Sequence, residues 1–162
     1  MPHPMRREDR EITDPAEIGR ILSEARFATI ALADDDEPYI VTLSCGYDAS
    51  AKRLCFHVAP AGRKLDVIAA NPRGCATVIE DLGYKVGKCA HPFRSVVMEG
   101  RMRLLTDAAE TRQAMRVLIG QLETADDVQR VFARNKLDDD ASLERFRMLV
   151  FEIADTSAKE GE

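Results

Sequence analysis

Arg63 and Lys64 stand side by side after Gly62, where a strand-like run, Leu54-Cys55-Phe56-His57-Val58, gives way to a helix-like one. Two cations on the first turn of a helix face unpaired N–H groups and the positive end of the dipole, which is mildly unfavourable. The arrangement becomes favourable when an anion is shared between the backbone and both side chains. Arginine offers a planar fork and lysine a point charge, a combination suited to a terminal phosphate. The same pair also reads as a solvated surface feature, the commoner state of such residues.

His57 is the second chemical candidate. It reads either as a functional residue or as a structural, hydrogen-bonded histidine at a strand end. His91 lies in a proline-containing loop, either exposed or at the rim of a site. The four cysteines, Cys45, Cys55, Cys75 and Cys89, show no CxxC spacing and no paired histidines, so no zinc site is expected. Three of them sit in apolar runs and read as reduced, buried small hydrophobes; a disulfide is the lesser alternative. No Ser-His-Asp or Cys-His constellation is legible, so nucleophilic catalysis has no support.

The chain that positions these residues has 162 amino acids, 45% hydrophobic and 31% charged, the balance of one globular domain over residues 1–162. A net charge of −5 argues against nucleic-acid binding. The start, MPHPMRREDREI, has no apolar signal segment and no window suits a membrane span, so a cytoplasmic location is expected.

Asp14, Pro15 and Glu17 predict a capped helix start, with Ile18, Ile21, Leu22 and Ala25 on one face. Strands are expected at Phe27–Leu32, Tyr39–Tyr47, Arg53–Val58, Gly74–Glu80, Arg94–Leu105 with a bulge at Gly100, and Phe146–Ile153. In the second strand Tyr39, Val41, Leu43, Cys45 and Tyr47 share an apolar face, opposite a smaller, more polar one of Ile40, Thr42, Ser44 and Gly46. Helices are expected at Arg63–Ala70, from Asp107 to about Gln121 behind a second capping box, and from Thr124 to about Asn135. Asp81–Pro92 reads as a long loop, and residues 155–162 as a polar, frayed tail beyond a core of about 12–154. Strands joined by tight turns imply an antiparallel Greek key or meander, and six of them close into a small barrel, an α+β fold. A Rossmann or flavodoxin fold is excluded, because no glycine-rich strand-to-helix turn is present.

The ordered motifs resemble the FMN-binding split-barrel family of pyridoxamine 5′-phosphate oxidase, in its 5-nitroimidazole-resistance (Nim-type) branch. They are Met5–Ile12, Pro38–Leu43 with Gly46-Tyr47, Phe56-His57, Gly62–Asp66, Asn71-Pro72, and Phe93–Val97 with Glu99-Gly100. The resemblance implies a six-stranded antiparallel Greek-key split β-barrel, working as a homodimer with FMN at the subunit interface. It implies Arg63 and Lys64 as the phosphate grip and Val41, Thr42, Leu43 and Ser44 beside the flavin and ribityl chain. His57 and Val58 then give a further contact near the phosphate, and Ser95 reaches the flavin from the partner subunit. His57 is the implied catalytic residue. A nitroimidazole-like acceptor, with NAD(P)H or another reductant, is the implied chemistry, and no metal is required. The true oxidases carry Arg and Lys where this chain has Ile40 and Cys45, and they add a substrate-binding C-terminal segment that does not match here. Pyridoxamine phosphate oxidation is therefore not expected. Alternatives are a flavin or haem binding protein without turnover, with His57 as a haem ligand, or a split barrel that has lost its cofactor.

Overall fold

The computed structural model describes residues 5–162; the first four residues of the expected domain lie outside the described residues. A short 3-10 turn, Glu8–Arg10, precedes helix α1 (Pro15–Glu24). The Asp14 side chain accepts the Ala16 N–H at 2.9 Å. The expected reciprocal contact from Glu17 does not form, because Arg20 takes that carboxylate at 2.9 Å.

Seven strands follow: β1 (Phe27–Asp34), β2 (Glu37–Ser44), β3 (Gly46–Asp48), β4 (Arg53–Val58), β5 (Arg73–Asp81), β6 (Phe93–Leu104) and β7 (Arg147–Gly161). Helix α2 (Arg63–Ala70) links β4 to β5, and α3 (Ala108–Leu122), α4 (Ala125–Asn135) and the short α5 (Asp140–Leu143) lie between β6 and β7. All pairings are antiparallel, in the order β2-β1-β5-β6-β7-β4-β3. The fold is the expected α+β split barrel, with two corrections. The sheet is not closed by hydrogen bonds, and it has seven strands instead of six. Both follow from one residue: the expected strand Tyr39–Tyr47 breaks at Cys45, whose N–H bonds to the Arg26 carbonyl at 3.1 Å. Before that point the chain pairs with β1, and after it with β4.

The inward face holds Ala28, Ile30, Leu54, Phe56, Val78, Val96, Met98, Leu149 and Phe151, plugged by Ile21 and Leu22 of α1 and Val67 and Ile68 of α2. A second cluster lies outside β4 and β7, where Cys55, Met148 and Val150 meet Ala114, Met115 and Leu118 of α3 and Phe132 of α4. The ladder between β6 and β7 shifts register at Glu99/Gly100, the expected bulge. The tail is not frayed: residues through Gly161 pair with Phe93–Glu99, and Ala158 is buried in the core. The buried residues there are two small ones, Ala158 and Gly161, which leaves almost no period-2 signal in the sequence. No helix of the described residues is long and apolar enough to cross a membrane.

Candidate functional site

The break at Cys45 opens a wedge in the barrel wall. β2 pairs on one side only, with β1. On the opposite bank, β3 covers β4 as far as Cys55, and among the described residues Phe56, His57 and Val58 have no strand partner on that side. Two strand edges thus face each other across the split, each with alternate backbone N–H and C=O groups unspent. The strands come within 8 Å of each other without pairing.

The chain leaving β4 turns at Ala59–Gly62 and enters α2 at the same end of the wedge. Gly62 has φ of +136°, a region that side chains avoid, so glycine is required at this turn. As N-cap it supplies no side-chain hydrogen bond. The Leu65 N–H closes on the Gly62 carbonyl at 2.8 Å, so the donors left open at this turn are the N–H groups of Arg63 and Lys64 themselves. Arg63 is exposed and lies 3.7 Å from both Asp34 and Glu37, at the tip of the β1–β2 hairpin. Its guanidinium covers the Tyr39 ring at 4.8 Å from the centroid. Lys64 makes no ion pair among the described residues.

The expected residues are brought together unevenly. Val41, Thr42, Leu43 and Ser44 lie on the open edge of β2, with Thr42 and Ser44 exposed and Val41 and Leu43 half-buried. The Thr42 hydroxyl already bonds that of Thr29 at 3.0 Å. Val58 turns its side chain into the core and directs its backbone N–H and C=O toward Arg147 of β7, so neither faces the wedge. His57 contributes its backbone to the same edge, whereas its ring points out of the barrel against Phe146, centroids 5.7 Å apart. Partial burial there lowers the pKa of His57 below its usual value. Ser95 lies on β6, three strands from β2 in the sheet order and roughly 14 Å away by strand spacing. It is not part of this chain's own wedge. His91 is on the 82–91 loop, paired with Asp81 at 2.8 Å.

Cys45 and Cys55 are buried, and burial pushes both thiols up to about 12. Cys75 is exposed, a correction to its apolar run: alternation with Ala76 and Val78 turns it outward. Gln121, unremarked in the sequence, clamps the base of the wedge. Its oxygen accepts the Tyr47 N–H at 2.7 Å and its amide donates to the Leu22 and Ala25 carbonyls. A larger hollow, about 550 Å³, lies on the outer sheet face over Ala31, Gly74, Cys75 and Gly100, with Arg73 and Arg101 at its sides. Among the described residues no cluster of three or more His, Cys, Asp or Glu could hold a metal ion.

The sequence profile described as pyridoxamine 5′-phosphate oxidase matches residues 14–160, nearly the whole chain. The chain belongs to that family. No curated protein matches the sequence. Among solved structures, a proposed 5-nitroimidazole antibiotic resistance protein from Bacteroides thetaiotaomicron is similar, with 20% identity and a TM-score of 0.70 over 93% of this chain and 86% of that one. An FAD-binding protein from Mesorhizobium loti shares 25% identity, with a TM-score of 0.61, over 94% of this chain and 98% of that one. The flavocytochrome Anf3 from Azotobacter vinelandii has 20% identity and a TM-score of 0.74, over 97% of this chain and 72% of that one. Within the family's fold, the wedge beside α2 is the feature of this chain that combines open backbone edges with paired cations.

Proposed function

We propose that the chain is an FMN-binding flavoprotein, an oxidoreductase passing electrons to a small acceptor of the nitroimidazole kind. The observation that carries this reading is the convergence of two open strand edges on the uncapped first turn of α2, where Arg63 and Lys64 stand. Family membership and the FAD-binding Mesorhizobium neighbour support a flavin. The pairing of a fork and a point charge supports FMN, whose terminal phosphate carries two charges.

The residues present fit the group. The phosphate would lie against Arg63, Lys64 and the first N–H groups of α2. The long 3.7 Å ion pairs of Arg63 leave its guanidinium free to turn toward an anion. Val41–Ser44 would hold the ribityl chain and ring by open-edge backbone groups and by the Thr42 and Ser44 hydroxyls. His57 would close the opposite bank through its backbone, and Val58, packed in the core and paired with Arg147, would hold that edge in place. A bound flavin supplies the electron transfer, and the chain supplies binding, orientation and exclusion of water. NAD(P)H or another soluble reductant is the proposed donor, and the cytoplasm the proposed location. Pyridoxamine phosphate oxidation is not proposed, because the exposed Ile40 and the buried Cys45 replace the cations of the true oxidases. For His57, whose ring turns away from the wedge against Phe146, we propose a positioning role exerted through its backbone on the strand edge, tested by the acceptor turnover and FMN affinity of His57→Ala.

The working unit is proposed to be a homodimer. The outer face of β2-β1-β5-β6 exposes Phe27, Ile40, Ile79 and Val97 at 60%, 67%, 64% and 41%. A partner seated there would bring its Ser95 face toward the wedge, which one chain alone cannot do.

Replacing Arg63 and Lys64 together by Ala should cost about 3 kcal/mol or more of FMN affinity, on the order of two charge-assisted contacts. Unchanged affinity in a fluorescence titration overturns the phosphate assignment. A carrier or sensor without turnover, holding flavin or haem, is the second reading, favoured by the flavocytochrome among the neighbours. The visible spectrum of the purified protein separates flavin from haem, and stopped-flow reduction by NAD(P)H separates enzyme from carrier.

A further inference from the structure

On the outer side of β4, helices α3 and α4 leave a hollow of about 230 Å³ between them. Leu118, Ile119 and Leu122 line it from α3, Val131 from α4, and Leu137 and Phe146 from the segments that follow. Its polar groups are few. The His57 ring reaches it, tilted 52° to that of Phe146, and makes no hydrogen bond among the described residues. Asn135 spends its amide N–H on the Val131 carbonyl at 2.9 Å, and its side-chain oxygen accepts no bond among the described residues. Glu123 stands at the rim.

We infer that this hollow binds a small neutral aromatic molecule carrying one hydroxyl, a phenol in chemical class. Size points to a single ring. The space is a groove open to solvent on one side, with His57 and Glu123 exposed at its edge. An enclosed engineered cavity of about 150 Å³ takes up benzene, so this groove has room for a ring with its substituent turned toward the open side. It is smaller than the roughly 300 Å³ at which pockets for larger ligands begin, which excludes a tricyclic flavin ring or a haem. The walls are preformed by packed helices, so little has to be ordered on binding.

Polarity selects the hydroxyl. A neutral imidazole offers one N–H and one lone pair, and partial burial of His57 favours that neutral form. A phenolic O–H can donate to the ring nitrogen or accept from it. A bare hydrocarbon would strip water from His57 and Asn135 and return nothing. An anionic ring such as benzoate would bring its charge into apolar walls beside Glu123.

Nothing in this inference requires a bound flavin, since the wedge lies at the strand edges and the hollow under the helices. The test is calorimetric titration of the purified protein with phenol, benzene and benzoate. Phenol should bind at submillimolar to low millimolar concentration, about fivefold or more tighter than benzene, the worth of one net hydrogen bond. Benzoate should not bind. His57→Leu should erase the preference for phenol, and Val131→Trp should abolish both affinities by filling the space. Should Val131→Trp fail to fold, Leu122→Phe is the second blocking variant. Absent phenol binding, equal binding of benzoate, a preference that survives His57→Leu, or binding that survives a folded blocking variant each overturns the assignment.

Discussion

The guanidinium of Arg63 lies over the Tyr39 ring, 4.8 Å from its centroid, and fastens the first turn of α2 to the open edge of β2. The same group faces Asp34 and Glu37 at 3.7 Å each, so an incoming phosphate competes with two carboxylates. These pairs are exposed, so each is worth only a few tenths of a kcal/mol and is screened by salt. Asp34→Asn with Glu37→Gln should therefore tighten FMN binding about two- to fivefold at low ionic strength. The gain should vanish near ~1 M salt, where screening acts within about 3 Å. Fluorescence titration at two ionic strengths checks both. No gain at low salt would place the phosphate away from Arg63.

His57 offers a readout independent of cofactor. Partial burial against Phe146 holds its pKa below the usual 6.5. The unfolded chain keeps the ordinary value, so as pH falls through that range the unfolded state takes up the proton first. This residue therefore subtracts stability on the acid side and is neutral above it. Histidine proton shifts followed by NMR should show His57 titrating below 6.5, and Phe146→Ala should move it back up by opening the hollow. A ring that titrates at the ordinary value in the native protein would mean that it stands in free solvent.

Glu110 anchors α3 to the sheet. Its carboxylate accepts from Arg103 at 2.7 and 3.0 Å and from the buried Arg53 at 2.5 Å, and Arg53 also reaches Asp48 at 3.2 Å. The Arg103 hydrogen bonds, opposed by burial and reinforced by Arg53, hold its pKa at about 2 against an ordinary 4.5. A lowered carboxylate stabilises the fold above its unfolded pKa, and that contribution is lost as pH falls from about 4.5 through about 2. Glu110→Gln should cost on the order of 2 kcal/mol at neutral pH, and less as the pH approaches 2. Urea unfolding at several pH values checks this. An equal loss at every pH would assign the effect to packing instead.

Why some of this was legible in the chain and some was not follows from particular residues. Helix α2 and the bulge at Gly100 were marked by Gly62, Asn71-Pro72 and a lone glycine in a strand, each a local backbone constraint. The outward turn of His57 follows from alternation with Leu54, Phe56 and Val58, which fill the core. The break at Cys45 was hidden, because residues 39–47 alternate without interruption and only the choice of partner strand changes. The capping boxes were half right: Asp107 bonds the Glu110 N–H at 2.7 Å, but Arg53 and Arg103 capture the Glu110 carboxylate, and Arg20, one turn on in the same helix, captures that of Glu17. Gln121 gave no signal at all, since a clamp made of side-chain-to-backbone bonds has no period. The motif residues of the wedge were found by resemblance; that His57 turns its backbone and not its ring to the wedge is a property of strand pairing, not of residue type.

Ile79 sits directly opposite Ser95 in the β5–β6 ladder, and both point to the outer face. Ile79 is 64% exposed whereas Ser95 is buried at 6%. A charge placed at Ile79 lies in the middle of the proposed interface and beside the residue proposed to serve the partner's wedge. A standard interface buries about 800 Å² per subunit and excludes unpaired charge from its centre. Ile79→Glu should halve the mass seen by light scattering and weaken FMN binding about tenfold or more, although Arg63 and Lys64 are untouched. Because the residue is exposed in the single chain, the monomer itself should lose no more than about 0.5 kcal/mol. Gln129→Glu, a charge on the exposed side of α4, should leave mass and affinity as they were. If Ile79→Glu stays dimeric and binds FMN normally, the subunits meet on another surface and Ser95 has no place in the site.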